Sequence, residues 1–373
     1  MDTSRILTEE IESNEYKPEG INEMTDLYIF GAKSLALGAC MAIERLYPQY
    51  HVCGFVVSDL AGNPEVLHGL PVMELSDIPE KAAPIFIATP EDVQPKIAEY
   101  LQKNGFHSFQ CMDSRTEAGL MGDYYASMDL FPGLTISDMP GNMHGYMAKF
   151  YKDRALTGKY EIPSWIQPIQ VGAALTDQRV ALKTDYPGDN ISVKNVNYCE
   201  LTALYWIWKN EMEKDPDPDS YYGLFHYRRL LDIKNGDMFH IRENGIDVIL
   251  PYPTVCEPDI SEHHERYVKK EDWEAMLQAV GELQPEYYAA FPEIFGQKYM
   301  YNYNIIFAKR DALIHYCKWL FPILERTEEL SVPRGSERAD RYIGYLGENL
   351  LTLYFMYNED RLRIRHTGKV MLI

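Results

Sequence analysis

The sequence lacks a cysteine framework. Its six cysteines, Cys40, Cys53, Cys111, Cys199, Cys256 and Cys317, contain no C-x-x-C pair and are spread thinly over 373 residues. That excludes a disulfide scaffold and fits reduced thiols at a cytosolic address. No apolar run approaches the about 18–20 residues needed to span a bilayer. The first twenty residues, MDTSRILTEEIESNEYKPEG, carry neither a basic n-region nor an apolar h-region, so no secretory signal is read there. Positive charge is also scarce: 36 Lys and Arg stand against 56 Asp and Glu, a net charge of −20. A balance of that sign argues against a general nucleic-acid binder and against broad adhesion to an anionic leaflet, while leaving room for a local basic pocket. Finally, the three-glycine dinucleotide fingerprint is missing. Gly31-Ala32-Lys33-Ser34 holds one glycine, which argues against NAD and hydride transfer.

What is present is a folded α/β pattern. The length predicts at least two domains. Residues 1–25 read as a solvated arm. From Asp26 short apolar runs alternate with helical stretches: 27–30, a helix over 35–46, 51–57, 84–88, a helix from 89 to about 104, and 107–112. Strands and helices alternating at these lengths predict βαβ units and a parallel sheet over 26–113. Such a sheet binds ligands at the carboxyl ends of its strands, here at Gly31, Ala32, Lys33 and Ser34 and at Ala88-Thr89. The turn is either a plain strand-to-helix connection or a phosphate seat at a helix N-terminus. The run FGAKSLALGACMAIERLYPQYHVCGFV, then LHGLPVMELSDI, then PIFIAT resembles the N-terminal nucleotide-sugar-binding domain of bacterial sugar acetyltransferases over about 85 residues. The resemblance implies a Rossmann-like fold. Residues 114–143 show no clear period and read as a connector with local helix, and a second domain, 144–373, follows.

In that second domain a helix is predicted from Asn197 to Asn210, with Leu201, Leu204, Tyr205 and Trp208 on one face. Asn197 and Glu200 have capping-box spacing, which gives Glu200 either a structural or a catalytic job. The segment YYGLFHYRRLLD, 221–232, is the most informative. Its apolar half reads as a buried central strand, and His226, Tyr227, Arg228 and Arg229 follow at its carboxyl end. In so acidic a chain an Arg pair there either matches phosphate oxygens bidentately or pairs with surplus carboxylates. His263 and His264 are neighbours in a polar loop that could cover an active site, and nothing near them completes a zinc pattern. Residues 301–308 read as a strand opening on Asn302 and Asn304. Glu348 lies in an apolar helix over 341–357, where it is either an edge residue or a carboxyl of raised pKa suited to base work.

The segments PIQVGAAL, DYPGDNISVKNVNYCELTALYWIWKN, YYGLFHYRRLLD, YNYNIIFAKR, HYCKWLFPIL and RYIGYLGENLL resemble, in order, a bacterial domain family of capsular and exopolysaccharide gene clusters that is described as uncharacterised or as glycosyltransferase. Their order is also similar to the GT-A fold, in which a buried strand ends in an Asp-x-Asp that holds a divalent metal on the sugar-nucleotide diphosphate. Here the HYRR tetrad replaces that motif. The resemblance therefore implies a hexosyl- or galactofuranosyl-type transferase that works without a metal cofactor, the charge developing on the leaving diphosphate being met by cations. In this reading Arg228 and Arg229 hold the diphosphate of a nucleotide sugar, UDP-linked by expectation, and His226 donates to it or to the acceptor. Asp185, Asp189, Asn190 and Asn195 contact the ribose or donor sugar. Asn302 and Asn304 bind sugar hydroxyls, and Glu348 or Glu200 is the base on the acceptor. The acceptor would be a glycan or lipid-linked glycan met by a cytoplasmic protein at the inner face of the membrane, alone or as a homo-oligomer. Two rival readings are a sugar-nucleotide-binding regulator without turnover and a sugar-phosphate transferase.

Overall fold

The computed structural model describes residues 24–134, 142–156, 160–234, 245–263 and 267–372. The arm expected before Asp26 lies almost wholly outside these residues, as does His264. The chain divides into two compact units between Phe131 and Pro132.

The first unit is a six-stranded sheet. In chain order it comprises β1 (Thr25–Phe30), α1 (Ser34–Leu46), β2 (Tyr50–Val57), β3 (Val66–Leu67), β4 (Leu70–Glu74), β5 (Ile85–Ile87), α2 (Gln94–Lys103), β6 (Phe109–Cys111) and α3 (Ser114–Ala126). The sheet order is β3-β4-β2-β1-β5-β6, parallel except for the short β3–β4 pair. Strands such as Tyr28–Phe30 and Ile85–Ile87 are buried along their length, as expected of a parallel sheet covered on both faces. One face packs Tyr28, Phe30, Val56, Ile85 and Ile87 against Leu101 and Phe106. The stretch 114–131, expected as connector with local helix, falls within the first unit and carries α3. Asp113 caps α3 by accepting from the Thr116 backbone at 2.9 Å, the usual N-cap role of aspartate. Arg45 at the end of α1 donates to the Ser127 carbonyl at 2.7 Å, so this helix belongs to the first unit.

The second unit is a nine-stranded sheet flanked by helices. Its strands are β7 (Met143–Lys149), β8 (Ile166–Gln170), β9 (Lys183–Thr184), β10 (Tyr221–His226), β11 (Arg229–Leu231), β12 (Val248–Pro251), β15 (Ile306–Lys309), β16 (Ile364–Thr367) and β17 (Lys369–Met371); β13 (Thr254–Val255) and β14 (Tyr299–Met300) form a separate ribbon. The helices are α4 (Asn195–Tyr198), α5 (Leu201–Asn210), α6 (Ile260–His263), α7 (Lys270–Leu283), α8 (Pro285–Phe295), α9 (Arg310–Leu330) and α10 (Tyr342–Tyr357). The path through the sheet is β16-β12-β15-β10-β7-β8-β9, and β15 runs against its two neighbours. Phe225, Phe307, Ile249, Leu230 and Val370 form the core beneath it.

Two expectations are corrected. The helix predicted from Asn197 is broken at Cys199, whose φ is 53°, so α4 and α5 are separate. The strand predicted over 301–308 begins at Ile306, because Tyr303 and Asn304 take φ of 72° and 49°. The HYRR tetrad stands at the carboxyl end of β10, as expected, with His226 as its last residue. His226 pairs with Arg229 across a two-residue turn, and Arg229 starts the returning strand β11.

Candidate functional site

Strand direction assembles the site. β7, β8, β9 and β10 are parallel, so Lys149, Gln170, Thr184 and His226 end on one edge of the sheet. β15 runs the other way, so the Tyr301–Ile305 turn that precedes it reaches the same edge. Ligands of such sheets sit at this edge.

Glu200 is the residue just ahead of α5, and it makes no capping bond. The capping-box reading fails because the partner is engaged elsewhere: the Asn197 amide donates to the carbonyls of Arg338 and Asp340, at 3.2 and 2.9 Å, and so pins the approach to α10. Freed from the helix end, Glu200 is buried at the edge. Asn304 donates to its Oε1 at 2.7 Å, and His226 Nε2 lies 3.5 Å from the same oxygen. Arg341 stands beside it, with Nη2 3.9 Å from Glu200 Oε2 and Nε donating to Cys199 Sγ at 3.0 Å. Burial opposes the Glu200 charge, but His226 and the Asn304 hydrogen bond outweigh it and hold the carboxyl below the usual range.

Glu348 is half-buried on α10 in the same cluster. Burial and the negative charge of Glu200 push its carboxyl up to about 7. Two carboxyls in one cluster are thus driven apart, which is how acid and base roles are separated at one pH. Asp153, after β7, is raised by burial, while the Phe150 backbone amide that it accepts at 2.6 Å works the other way.

Close helix approach makes this geometry possible. A Cβ on Gly347 would stand 2.7 Å from Leu201 Cδ1 and 3.2 Å from Asn304 Oδ1, and one on Gly344 would stand 3.2 Å from Cys199 Sγ. The Gly344 carbonyl in turn accepts from Asn304 at 3.0 Å. Three non-glycine residues of this cluster are left-handed: Cys199, which precedes Glu200, Asn304, which donates to it, and Tyr303, whose backbone meets Glu348. Such backbone costs of order 1–3 kcal/mol per residue and collects at functional sites. His226 Nε2 and Asn304 Oδ1 are buried and make no hydrogen bond among the described residues, the 3.5 Å ion-pair contact of His226 with Glu200 aside.

The predicted residues separate into three groups. His226, Glu200, Glu348, Asn304 and Arg229 come together. Arg229 stacks 4.5 Å over the Tyr303 ring, which also faces His226 and Lys369. Asn302 is buried in the same turn. Arg228 occupies the hairpin turn over Tyr227, and its carbonyl accepts from Leu372. By contrast Asp185 is fully buried, and its two oxygens accept from the Gly172 and Ala173 amides and from the Ser192 and Thr202 hydroxyls at 2.6–3.0 Å. Asn195 is likewise buried and donates to the Cys199 carbonyl at 2.7 Å. In the structure both side chains hold loops together. Asn190 ties its own loop through the Tyr186 and Gly188 carbonyls. Asp189 is exposed and accepts from Tyr205 at 3.1 Å. Sequence reasoning missed Arg341, Tyr303 and Asp153. Only the Gly-x-x-Gly spacing ahead of Glu348 could have signalled the close approach.

At the corresponding edge of the first unit, Gly31 has φ +127°, and a Cβ there would stand 2.8 Å from the Ala88 carbonyl. Ala32 is buried, and Lys33 donates to the Gly62 carbonyl at 2.9 Å. Ser34 opens α1 without a side-chain cap. Thr89 Oγ1 is buried without a partner among the described residues. No carboxylate or histidine contact is described for this turn.

Residues 157–359, more than half of the chain, match a family model described as Domain of unknown function (DUF4422). The solved apo structure of WbbM, a bifunctional glycosyltransferase, matches with a TM-score of 0.52 and 26% identity, over 62% of this chain and 45% of that one. The chain thus spans less than half the length of that relative. No curated protein matches it.

Proposed function

The chain belongs to the DUF4422 family, and from that premise we propose that its second unit transfers a sugar from a nucleotide-sugar donor to a glycan or lipid-linked glycan hydroxyl. The observation that carries the proposal is the pair Glu200 and Glu348, one carboxyl held low and the other pushed up to about 7, at the edge where such sheets bind ligands. The likeness to a glycosyltransferase of known structure supports it.

Glu348 is the base. A carboxylate that accepts protons near neutrality can take one from an acceptor hydroxyl as the new glycosidic bond forms, which is the step an inverting transfer requires. Glu200 is a positioning residue: its charge orients His226 and keeps Glu348 basic. Arg229, with Arg228 and His226 at the hairpin, and Arg341 across the cluster, face the charge that grows on the departing nucleoside diphosphate. The divalent metal that GT-A folds use does not fit this site. The end of β10 offers an imidazole and guanidinium groups rather than carboxylates, and Glu200 is already engaged by Asn304 and His226. We therefore place no step through a metal. In this reading the donor is a UDP-linked hexose in pyranose or furanose form, and the setting is capsular or exopolysaccharide synthesis at the cytoplasmic face of the membrane. Among the described residues no helix is long and apolar enough to cross a membrane, so contact with lipid-linked material would be peripheral.

The test is release of nucleoside diphosphate from a panel of UDP-, GDP- and dTDP-sugars with glycan acceptors, with and without EDTA. Release that resists EDTA and is lost in Glu348→Gln is expected. Binding of a sugar nucleotide without turnover on any acceptor would favour a regulator instead, and release of phosphosugar would favour a sugar-phosphate transferase.

A further inference from the structure

In the first unit, one face of the β1–β2 pair carries Asp26, His51 and Cys53. The register explains the grouping. Asp26 lies opposite His51, and Cys53 falls on the same face two residues later. The ladder then slips between Leu27 and Tyr28, so Tyr28 opposes Gly54 and Cys53 is left as the extra residue of a bulge. Bulges re-aim side chains, and this one brings the thiol back toward its neighbours.

Asp26 Oδ1 is 2.9 Å from His51 Nδ1, and Cys53 Sγ is 3.6 Å from the same nitrogen. In a nucleophilic relay the thiol and the carboxylate use opposite ring nitrogens, so that the imidazole can pass a proton across. Here both converge on Nδ1, which carries at most one proton and cannot relay between them. Three donor atoms of three kinds lie within 4.8 Å of one another. A tetrahedral zinc ion, with sulfur at about 2.3 Å and nitrogen and oxygen at about 2.0–2.2 Å, sets neighbouring donors roughly 3.3–3.6 Å apart. The Cys53–His51 spacing already has that value. The Asp26–His51 spacing needs only a small retreat of two side chains that are 67% and 54% exposed.

We propose that Asp26, His51 and Cys53 bind a zinc ion through a carboxylate oxygen, an imidazole Nδ1 and a thiolate, with the fourth position held by water. On binding, the Cys53 thiol releases its proton to solvent, and the thiolate and carboxylate balance the ion's two positive charges. A mixed sulfur, nitrogen and oxygen set selects zinc over magnesium or calcium, which take oxygen ligands. The ion would bind adjacent strands of the sheet to one another and keep one water-held position that a ligand can exchange into.

Cobalt(II) titrated into the full, chelator-stripped chain tests this. One equivalent should give tetrahedral d–d bands and a sulfur-to-cobalt charge-transfer band, and zinc should displace it. Cys53→Ala should abolish the charge-transfer band, and Asp26→Asn should weaken binding at least about tenfold. Zinc should raise the melting temperature of the wild-type chain and leave that of His51→Ala unmoved. Cys111, the other partly buried thiol, serves as the control, and Cys111→Ala should leave the band intact. A wild-type chain without the band, or a band that survives Cys53→Ala, would overturn the proposal.

Discussion

At the carboxyl edge of β1 and β5 the chain places Gly31, Ala32, Lys33 and Thr89; at the carboxyl edge of β7 and β10 it places Lys149, Asp153, His226 and, from packed helices, Glu200, Arg341 and Glu348. Both edges belong to parallel sheets. The first meets a strained glycine only because a Cβ would strike the Ala88 carbonyl, and its one cation is committed to a loop carbonyl. The second holds three non-glycine residues in the left-handed region and gathers buried charge around them. The comparison teaches that sheet topology offers a place, while chemistry appears where the fold also tolerates strain and uneasy charge.

Four experiments would break or sharpen that contrast. Glu348→Gln should lower the turnover of sugar transfer by about 10²–10⁴-fold, the usual loss on removing a general base, while binding of the donor is kept. Arg229→Ala should cost about 10–100-fold in kcat/KM, the scale of a lost charge-assisted hydrogen bond, with most of the loss in donor KM. Gly347→Ala should destabilise the chain by about 1–3 kcal/mol through overpacking against Leu201, and chemical denaturation would read it. Smallest is Lys33→Ala in the first unit, expected to change stability by no more than about 0.5 kcal/mol and to leave transfer untouched. A large loss of transfer from Lys33→Ala would erase the distinction between the two edges.

The same carboxyl makes a stability prediction with a fixed sign. Folding raises the Glu348 pKa from 4.5 to about 7. Between those values the folded chain holds more protons than the unfolded chain, so this group's contribution falls as pH rises through that window and stays unfavourable above it. Glu348→Gln should therefore melt at a higher temperature than the wild type at alkaline pH and lose that advantage below about pH 4.5. An inactive but stabilised variant is what a residue kept for chemistry should give.

Much of the fold was legible in the sequence because its signals are local. Apolar runs bounded by Gly and Pro marked the strands of the first unit, and Tyr221–Phe225 announced a buried central strand. The site was legible only in part. His226, Glu200, Glu348 and Arg229 carry their chemistry in their residue types, so they could be named. Asp185 reads as available because it is an acidic residue in a turn-rich loop, and only the fold shows four donors closing on it. Arg341 and Tyr303 were missed for the opposite reason. The first lies in the charged stretch SERADR ahead of a helix, where an arginine reads as solvated, and the second projects into the site only because its backbone turns left-handed. Periodicity assumes regular backbone, so it fails where the backbone departs from it.

The measurement that tests the account most directly is the pH dependence of nucleoside diphosphate release, between about pH 5 and pH 9, by the wild type and by Glu200→Gln. The wild type should gain kcat/KM as pH rises through about 7, where Glu348 gives up its proton. Removing the Glu200 charge should move that midpoint to lower pH. A midpoint indifferent to Glu200, or a rate flat across the range, would contradict Glu348 as the base.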